Sequence, residues 1–170
     1  AGRLERARAE LETSLGLFPE SAEVQRLYAL VLERNDELDA AAHHLREAIR
    51  IAPDDADAPL HLERVARKQE LDRRIASAAR AAAEQPTEVG PRLALGDLLL
   101  ERERYDAALV EFLRAERHGG ATAHTHTGLG LAYAGRQRQV RALYHLTDAL
   151  RLDARAARAR AELVWVLATS

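Results

Sequence analysis

The sequence has no cysteine and no methionine, and lysine occurs once, at Lys68. Without cysteine there are no disulfides, thiolate metal sites or cysteine nucleophiles, and the redox compartment leaves no mark. Aromatic residues make up only 4%, and valine, isoleucine and threonine are sparse, so β-strands have little material. The longest apolar run is about six residues, Leu163 to Ala168, far short of the roughly 18 that a membrane span requires. Residues Ala1 to Glu12 are charged and lack an apolar stretch, so no secretory leader is expected there and the cytoplasm is slightly favoured. A formal net charge of −2 lacks the basic excess of a dedicated nucleic-acid binder. The chain does not begin with methionine and is read as a fragment or processed form of a longer protein.

What is present is alanine, leucine, arginine and glutamate, all strong helix formers. The arginine-over-lysine skew is expected of a GC-rich bacterial genome, and it supplies a surface capable of bidentate contacts with carboxylates. The length suits one compact domain or a short repeat array.

The sequence repeats itself with a period of 34. Pro19 and Pro53 are 34 apart, and Pro86 follows 33 later. Leu4, Ala7, Leu11 and Ser14 reappear 34 residues on as Leu38, Ala41, Leu45 and Ala48. They return as Tyr105, Ala108, Phe112 and Ala115, and again as Gln139, Ala142, Leu146 and Ala149. A second series runs Tyr28-Ala29, Leu95-Gly96, Leu129-Gly130 and Leu163-Val164. Spacings of four and three mark one face of a helix, so each unit reads as two helices. The small residue inside the first helix lowers helix propensity, and close approach between helices is the expected return. Pro53-Asp54-Asp55 ends one unit and caps the next helix.

This pattern resembles the tetratricopeptide repeat. The match rests on Leu95, Gly96, Leu99, Tyr105, Ala108, Phe112 and Ala115. It is repeated by Leu129, Gly130, Tyr133, Ala142, Leu146 and Ala149, and by Ala29, Leu32, Ala41, Leu45, Ala48 and Pro53. The resemblance implies an all-α fold, a right-handed α-solenoid of antiparallel helix pairs with about ten helices. The expected division is a half unit at 1–21, unit 1 at 22–55, a degenerate unit 2 at 56–88, unit 3 at 89–122, unit 4 at 123–156 and a half unit at 157–170. The family's early tryptophan is absent. In the degenerate unit Glu63 takes the small position and the second helix is almost all alanine and arginine, so a kink or loose packing is expected there.

The resemblance also implies a concave groove, lined by the first helix of each pair, that binds peptides or partner segments. The inward positions are Glu23, Arg26, Leu30 and Glu33; Leu60, Arg64 and Arg67; Leu93, Asp97 and Leu100; His124, Thr127 and Leu131; and Arg158, Ala161 and Trp165. An apolar line, Leu30-Leu60-Leu93-Leu131-Trp165, is expected along the groove, with Arg26, Arg64 and Arg67 placed to hold an acidic residue. Introducing a charge at Leu93 or Leu131 is expected to abolish binding without unfolding the array. Family members that dock the EEVD tail of chaperones use a Lys/Asn carboxylate clamp. No asparagine stands at these positions and Asp97 would repel a carboxylate, so that subtype is not expected.

His118, His124 and His126 are enough imidazoles to bind zinc or nickel. But His124 and His126 are two apart, on different helix faces, so surface histidines are the expectation, as for His43, His44 and His145. No metal, cofactor or catalytic residue is assigned. There is no HExxH and no nucleophile elbow, and Gly128-Leu129-Gly130 follows no strand. The basic stretch from Arg136 to Arg141 lacks stacking aromatics, so nucleic acid is not expected. The reading is therefore a non-catalytic protein–protein interaction scaffold. Two alternatives are a docking or dimerisation domain of a larger enzyme, of glycosyltransferase or sulfotransferase type, and self-association through the apolar C-terminal helix.

Overall fold

A computed structural model describes residues 2–169 and is all-helical over them. The helices are α1 (Gly2–Leu17), α2 (Ala22–Arg34), α3 (Leu38–Ile51), α4 (Asp57–Glu84), α5 (Val89–Glu101), α6 (Tyr105–Gly119), α7 (Ala123–Gly135), α8 (Gln139–Leu152) and α9 (Ala157–Ala168). They form two compact units that divide inside α4, between Glu70 and Leu71.

In the first unit α1 packs on α2, and α2 on α3. The core gathers Ala29, Leu32, Ala41, Leu45 and Ala48, together with Ala58 and Val65 from the start of α4. In the second unit α5 pairs with α6 and α7 with α8, while α7 also touches α5 and α9. One core there holds Phe112, Leu95, Leu99, Leu129 and the later α4 residues Leu71, Ile75 and Ala82. A second holds Leu146, Ala142, Ala149, Ala159 and Val166. The fold is that of the α-solenoid class, built from antiparallel helix pairs.

The small residues of the repeat are explained by what enters beside them. A methyl group on Gly96 would lie 2.8 Å from the Phe112 ring, and one on Gly128 only 2.3 Å from it. A methyl group on Gly130 would lie 2.6 Å from Leu146. The second-helix side chain thus occupies space that only a residue without Cβ leaves open.

Three turns join first to second helices, and all have one geometry. Asp36, Glu103 and Gln137 adopt left-handed φ angles of 65°, 60° and 58°. After each, the next amide bonds back five residues: Glu37 to the Leu32 carbonyl at 2.9 Å, Arg104 to Leu99 at 2.8 Å, and Arg138 to Tyr133 at 2.9 Å. This is the Schellman closure of a helix C-terminus.

The degenerate unit departs from expectation. It is not a helix pair: α4 is a single helix of 28 residues. Nine helices therefore stand among the described residues, where ten were expected. The reason is legible in the side chains. Glu70, which occupies the register of Asp36 and Glu103, remains helical. The knob position filled by Leu45, Phe112 and Leu146 holds exposed Ala79, and its receiving small position holds exposed Glu63. Folding back would bury one methyl group against a carboxylate. Continuing the helix forfeits nothing and avoids a left-handed non-glycine residue.

Caps agree with local chemistry. Ser21 accepts the Val24 amide at the start of α2. Thr122 and Thr125 form a reciprocal capping box at α7, at 3.1 and 3.2 Å. Asp55 accepts the Asp57 amide at 2.8 Å before α4.

Candidate functional site

The second unit carries a depression on the side formed by α5, α7 and α9. Leu100, Tyr105, Leu131, Ala134, Gly135, Arg158, Glu162 and Trp165 line about 350 Å³ of open space. Trp165, the only tryptophan, is 56% exposed. Large exposed aromatic surface beside apolar walls is costly to leave in water and is common at recognition sites. Asp97 ties the three helices together. It meets His124 Nε2 at 2.8 Å and Arg158 Nη1 at 3.4 Å. Burial pushes the Glu162 carboxyl up from its ordinary value, with Arg158 opposing the shift. An apolar wall thus stands between a partly neutralised guanidinium and a poorly solvated carboxyl.

Of the expected groove residues in this unit, Leu131 and Trp165 are brought together here, with Leu100 and Arg158. Leu93 is not on this wall. It and Leu131 are partly buried and pack against the core that holds Phe112. A charge introduced at either would disturb that core as well as the groove, contrary to the clean loss of binding expected from sequence.

The first unit has its own recess of about 440 Å³, lined by Leu30, Glu33, Arg34, His61, Arg64 and Lys68. Leu60 lies outside it and is 61% exposed. The arginines expected to receive a partner's acid are already engaged. Arg64 Nη2 meets buried Glu33 at 2.5 Å and Lys68 Nζ meets it at 2.7 Å. Burial opposes ionisation of Glu33, yet the hydrogen bonds and charges of these two cations outweigh it and lower its pKa. Arg26 meets Asp55 at 3.3 Å and Asp57 at 3.8 Å. Arg67 is exposed and pairs with Glu63 at 3.8 Å.

Sequence reasoning missed a set of half-buried polar pairs in a fixed register. Gln25 Oε1 lies 2.8 Å from His44 Nδ1. Arg92 Nη1 donates to Glu111 Oε2 at 3.1 Å. His126 Nδ1 lies 3.0 Å from His145 Nδ1. Each joins a first helix to its second across 19 residues. Two of the first members also reach back six residues, Gln25 to the Pro19 carbonyl at 2.8 Å and Arg92 to that of Pro86 at 2.7 Å, and Arg160, in the same register on α9, does so to Ala154. The degenerate unit has Pro59 and Ala78 in these places and lacks the pair. Aligning residues 25, 92 and 126 against 44, 111 and 145 in the repeat frame would have exposed the series.

The histidines therefore divide. His118 and His124 are exposed, but His126 is buried rather than on the surface. His145 stacks on Tyr133 with centroids 5.4 Å apart. Its imidazole is pushed down to about 4 by burial and then by the neighbouring His126. Since one Nδ1 must donate and the other accept, at least one ring of the pair is neutral. Among the described residues no three potential ligands converge as a metal site, and no helix is long and apolar enough to cross a membrane.

The tetratricopeptide repeat family model matches residues 1–56. No curated protein matches the chain by sequence. Among solved structures, YrrB, described as a tetratricopeptide repeat protein with an unusual peptide-binding site, is 22% identical. It aligns with a TM-score of 0.52 over 95% of this chain and 84% of its own. TTC0263 of Thermus thermophilus, a thermophilic tetratricopeptide repeat protein, is 17% identical, with a TM-score of 0.51 over 98% and 91%. MamA of Desulfovibrio magneticus RS-1 is 20% identical, with a TM-score of 0.53 over 85% and 82%. These likenesses establish the fold.

Proposed function

We propose that this chain is a tetratricopeptide repeat protein, a reading supported by the family match over residues 1–56 and by the fold of the whole, and that it is a non-catalytic scaffold that captures a segment of a partner protein. The capture site is the α5–α7–α9 depression of the second unit. One observation carries this reading: exposed Trp165 faces the same open space as Leu131, Leu100 and Tyr105. A partner side chain of leucine or aromatic size fills that space and removes apolar surface from water, at about 25 cal/mol per Å². Glu162 and Arg158 flank the anchor and fix its orientation, with Glu162 favouring a basic neighbour in the peptide. That YrrB is described as peptide-binding supports the reading by analogy of fold.

The test is a displayed-peptide selection on the whole chain, counter-screened with Trp165→Ala. Trp165 is more than half exposed, so the variant is expected to fold. A shared apolar motif that binds the parent and not the variant is the expected outcome. Enrichment indifferent to Trp165, or none with folded protein, would refute the site.

A further inference from the structure

The second helices of the repeat keep one face outside every core. On α6, which packs on α5 before it and on α7 after it, Asp106 and Val110 are exposed. In α3 the same places hold exposed Asp39 and His43. On α8 they hold Val140, 82% exposed, and Tyr144, 60% exposed. The exposure belongs to the helix face, and not to where α8 stands in the chain. α3 and α6 each carry their aspartate in the first turn, where a negative charge favours the helix. α8 has no acid there. Val140 forgoes that stabilisation and joins no core in return.

The surroundings of this pair are cationic. From Arg117 to Thr147 there is no aspartate or glutamate, although the chain has 27. Arg141 stands where α3 and α6 have Ala40 and Ala107, and Arg138 where the first unit has Glu37. Both arginines are exposed, and among the described residues neither meets a carboxylate. Arg141 lies over the Tyr133 ring, 5.5 Å from its centroid. Arg136 is held by Asp106 at 3.0 Å. Asp148 bounds the patch and is itself engaged, by Arg151 at 3.1 Å and by the Tyr144 hydroxyl. Val140 and Tyr144, four residues apart, are neighbours on one side of the helix. None of these residues lines the Trp165 depression.

We propose that the Val140–Tyr144 face of α8 docks an acidic segment of a partner protein. One apolar side chain of that segment seats between Val140 and Tyr144, and its neighbouring aspartate or glutamate residues meet Arg138 and Arg141. The charge of the patch selects an acidic occupant, and guanidinium groups take carboxylates bidentately. The apolar part selects a protein. Val140 has no π-face on which a base could stack, and a single exposed tyrosine is no stacking platform. Two apolar side chains are also too little surface to enter a lipid interface. This face and the Trp165 depression are separate, so a partner could hold either one alone.

Random peptides displayed against the whole chain, with fluorescence anisotropy of those enriched, test this. The comparison variants are Arg138→Glu and Val140→Asp, which copy Glu37 and Asp39 of the first unit and are expected to fold. Val140→Asp should raise the unfolding midpoint, because it restores the first-turn acid. The expected result is a class of peptides with an apolar residue among acids. It should bind the parent about tenfold more tightly than either variant, weaken with salt, and ignore Trp165→Ala. The proposal is overturned if no acidic class is enriched, or if its binding survives both variants. An acidic class lost on Trp165→Ala and not on these variants overturns it too, and leaves the depression as the site. Mixed phosphatidylserine–phosphatidylcholine vesicles and an oligothymidylate are the remaining probes. If either binds the parent and not the variants while no acidic peptide binds, the face serves a membrane or a nucleic acid and the proposal is wrong.

Discussion

Glu70 and Glu103 hold equivalent places in the repeat, and the structure assigns the same substitution opposite signs at them. Glu70 is interior to α4. Replacing it by glycine frees the unfolded chain and costs about 0.5–1 kcal/mol, more if its side-chain contact is also lost. Glu103 sits at φ 60° in the turn between α5 and α6. There an L side chain costs about 1–2 kcal/mol. Glycine removes that strain, loses part of the gain to unfolded-state entropy, and stabilises by about 0.5–1 kcal/mol net. The difference between the two variants is therefore about 1–2 kcal/mol. Urea unfolding followed by circular dichroism measures it as midpoints that move in opposite directions from the parent. If both glycines destabilise equally, or both stabilise, α4 does not run unbroken through residue 70 and the account of the missing turn is wrong.

Three further outcomes follow from packing and titration. Gly128→Ala should destabilise the second unit by about 1–2 kcal/mol, because the added methyl meets the Phe112 ring and overpacking exceeds the gain in helix propensity. Phe112→Leu, which copies Leu45 and Leu146, should relieve that clash in a double-mutant cycle, while Gly16→Ala, with nothing within 4 Å, should stabilise; additive effects at 112 and 128 would deny the contact. His145 is charged less readily folded than unfolded, its pKa falling from 6.5 to about 4, so the unfolded chain binds more protons between those values. Stability is complete above about pH 6.5 and falls as pH drops towards 4, by about 1–2 kcal/mol after allowance for partial exposure. His126→Gln, which copies the Gln25–His44 pair, should shrink that acid loss; burial is the larger cause of the depression, and Arg141 adds to it while Asp148 opposes it, so identical pH profiles for parent and variant would assign the shift to burial and Arg141 rather than to His126. Leu93→Glu should lower the unfolding midpoint as well as any binding, since Leu93 packs on the Phe112 core; an unchanged midpoint would remove it from that core.

Much of the fold was legible because the repeat writes it in apolar side chains. The period placed Phe112 and Leu146 in second helices and Gly96 and Gly130 opposite them, and the structure shows why the glycines stand there. α4 was half legible. Glu63 and the alanine-rich stretch marked the unit as degenerate, but degeneracy alone does not say whether a chain kinks or continues. That outcome depends on a turn at Glu70 having no knob-and-hole contact to favour it. The site was less legible because an inward register says nothing about neighbours. Arg64 and Arg26 were read as available, yet Glu33 and Asp55 already hold them. His126 was read as a surface residue because its partner, His145, is 19 residues away and pairs with it only through the helix hairpin. Leu131 and Trp165 meet one space, whereas Leu93 belongs to the core beneath.

The most direct test of partner capture is the emission of Trp165 during titration with a peptide selected on the chain. No other tryptophan contributes, and the indole is now more than half exposed. Burial by an apolar anchor predicts a saturable blue shift, with a midpoint that matches the affinity measured independently. Saturable binding that leaves the emission unmoved would contradict the placement of the site in the α5–α7–α9 depression.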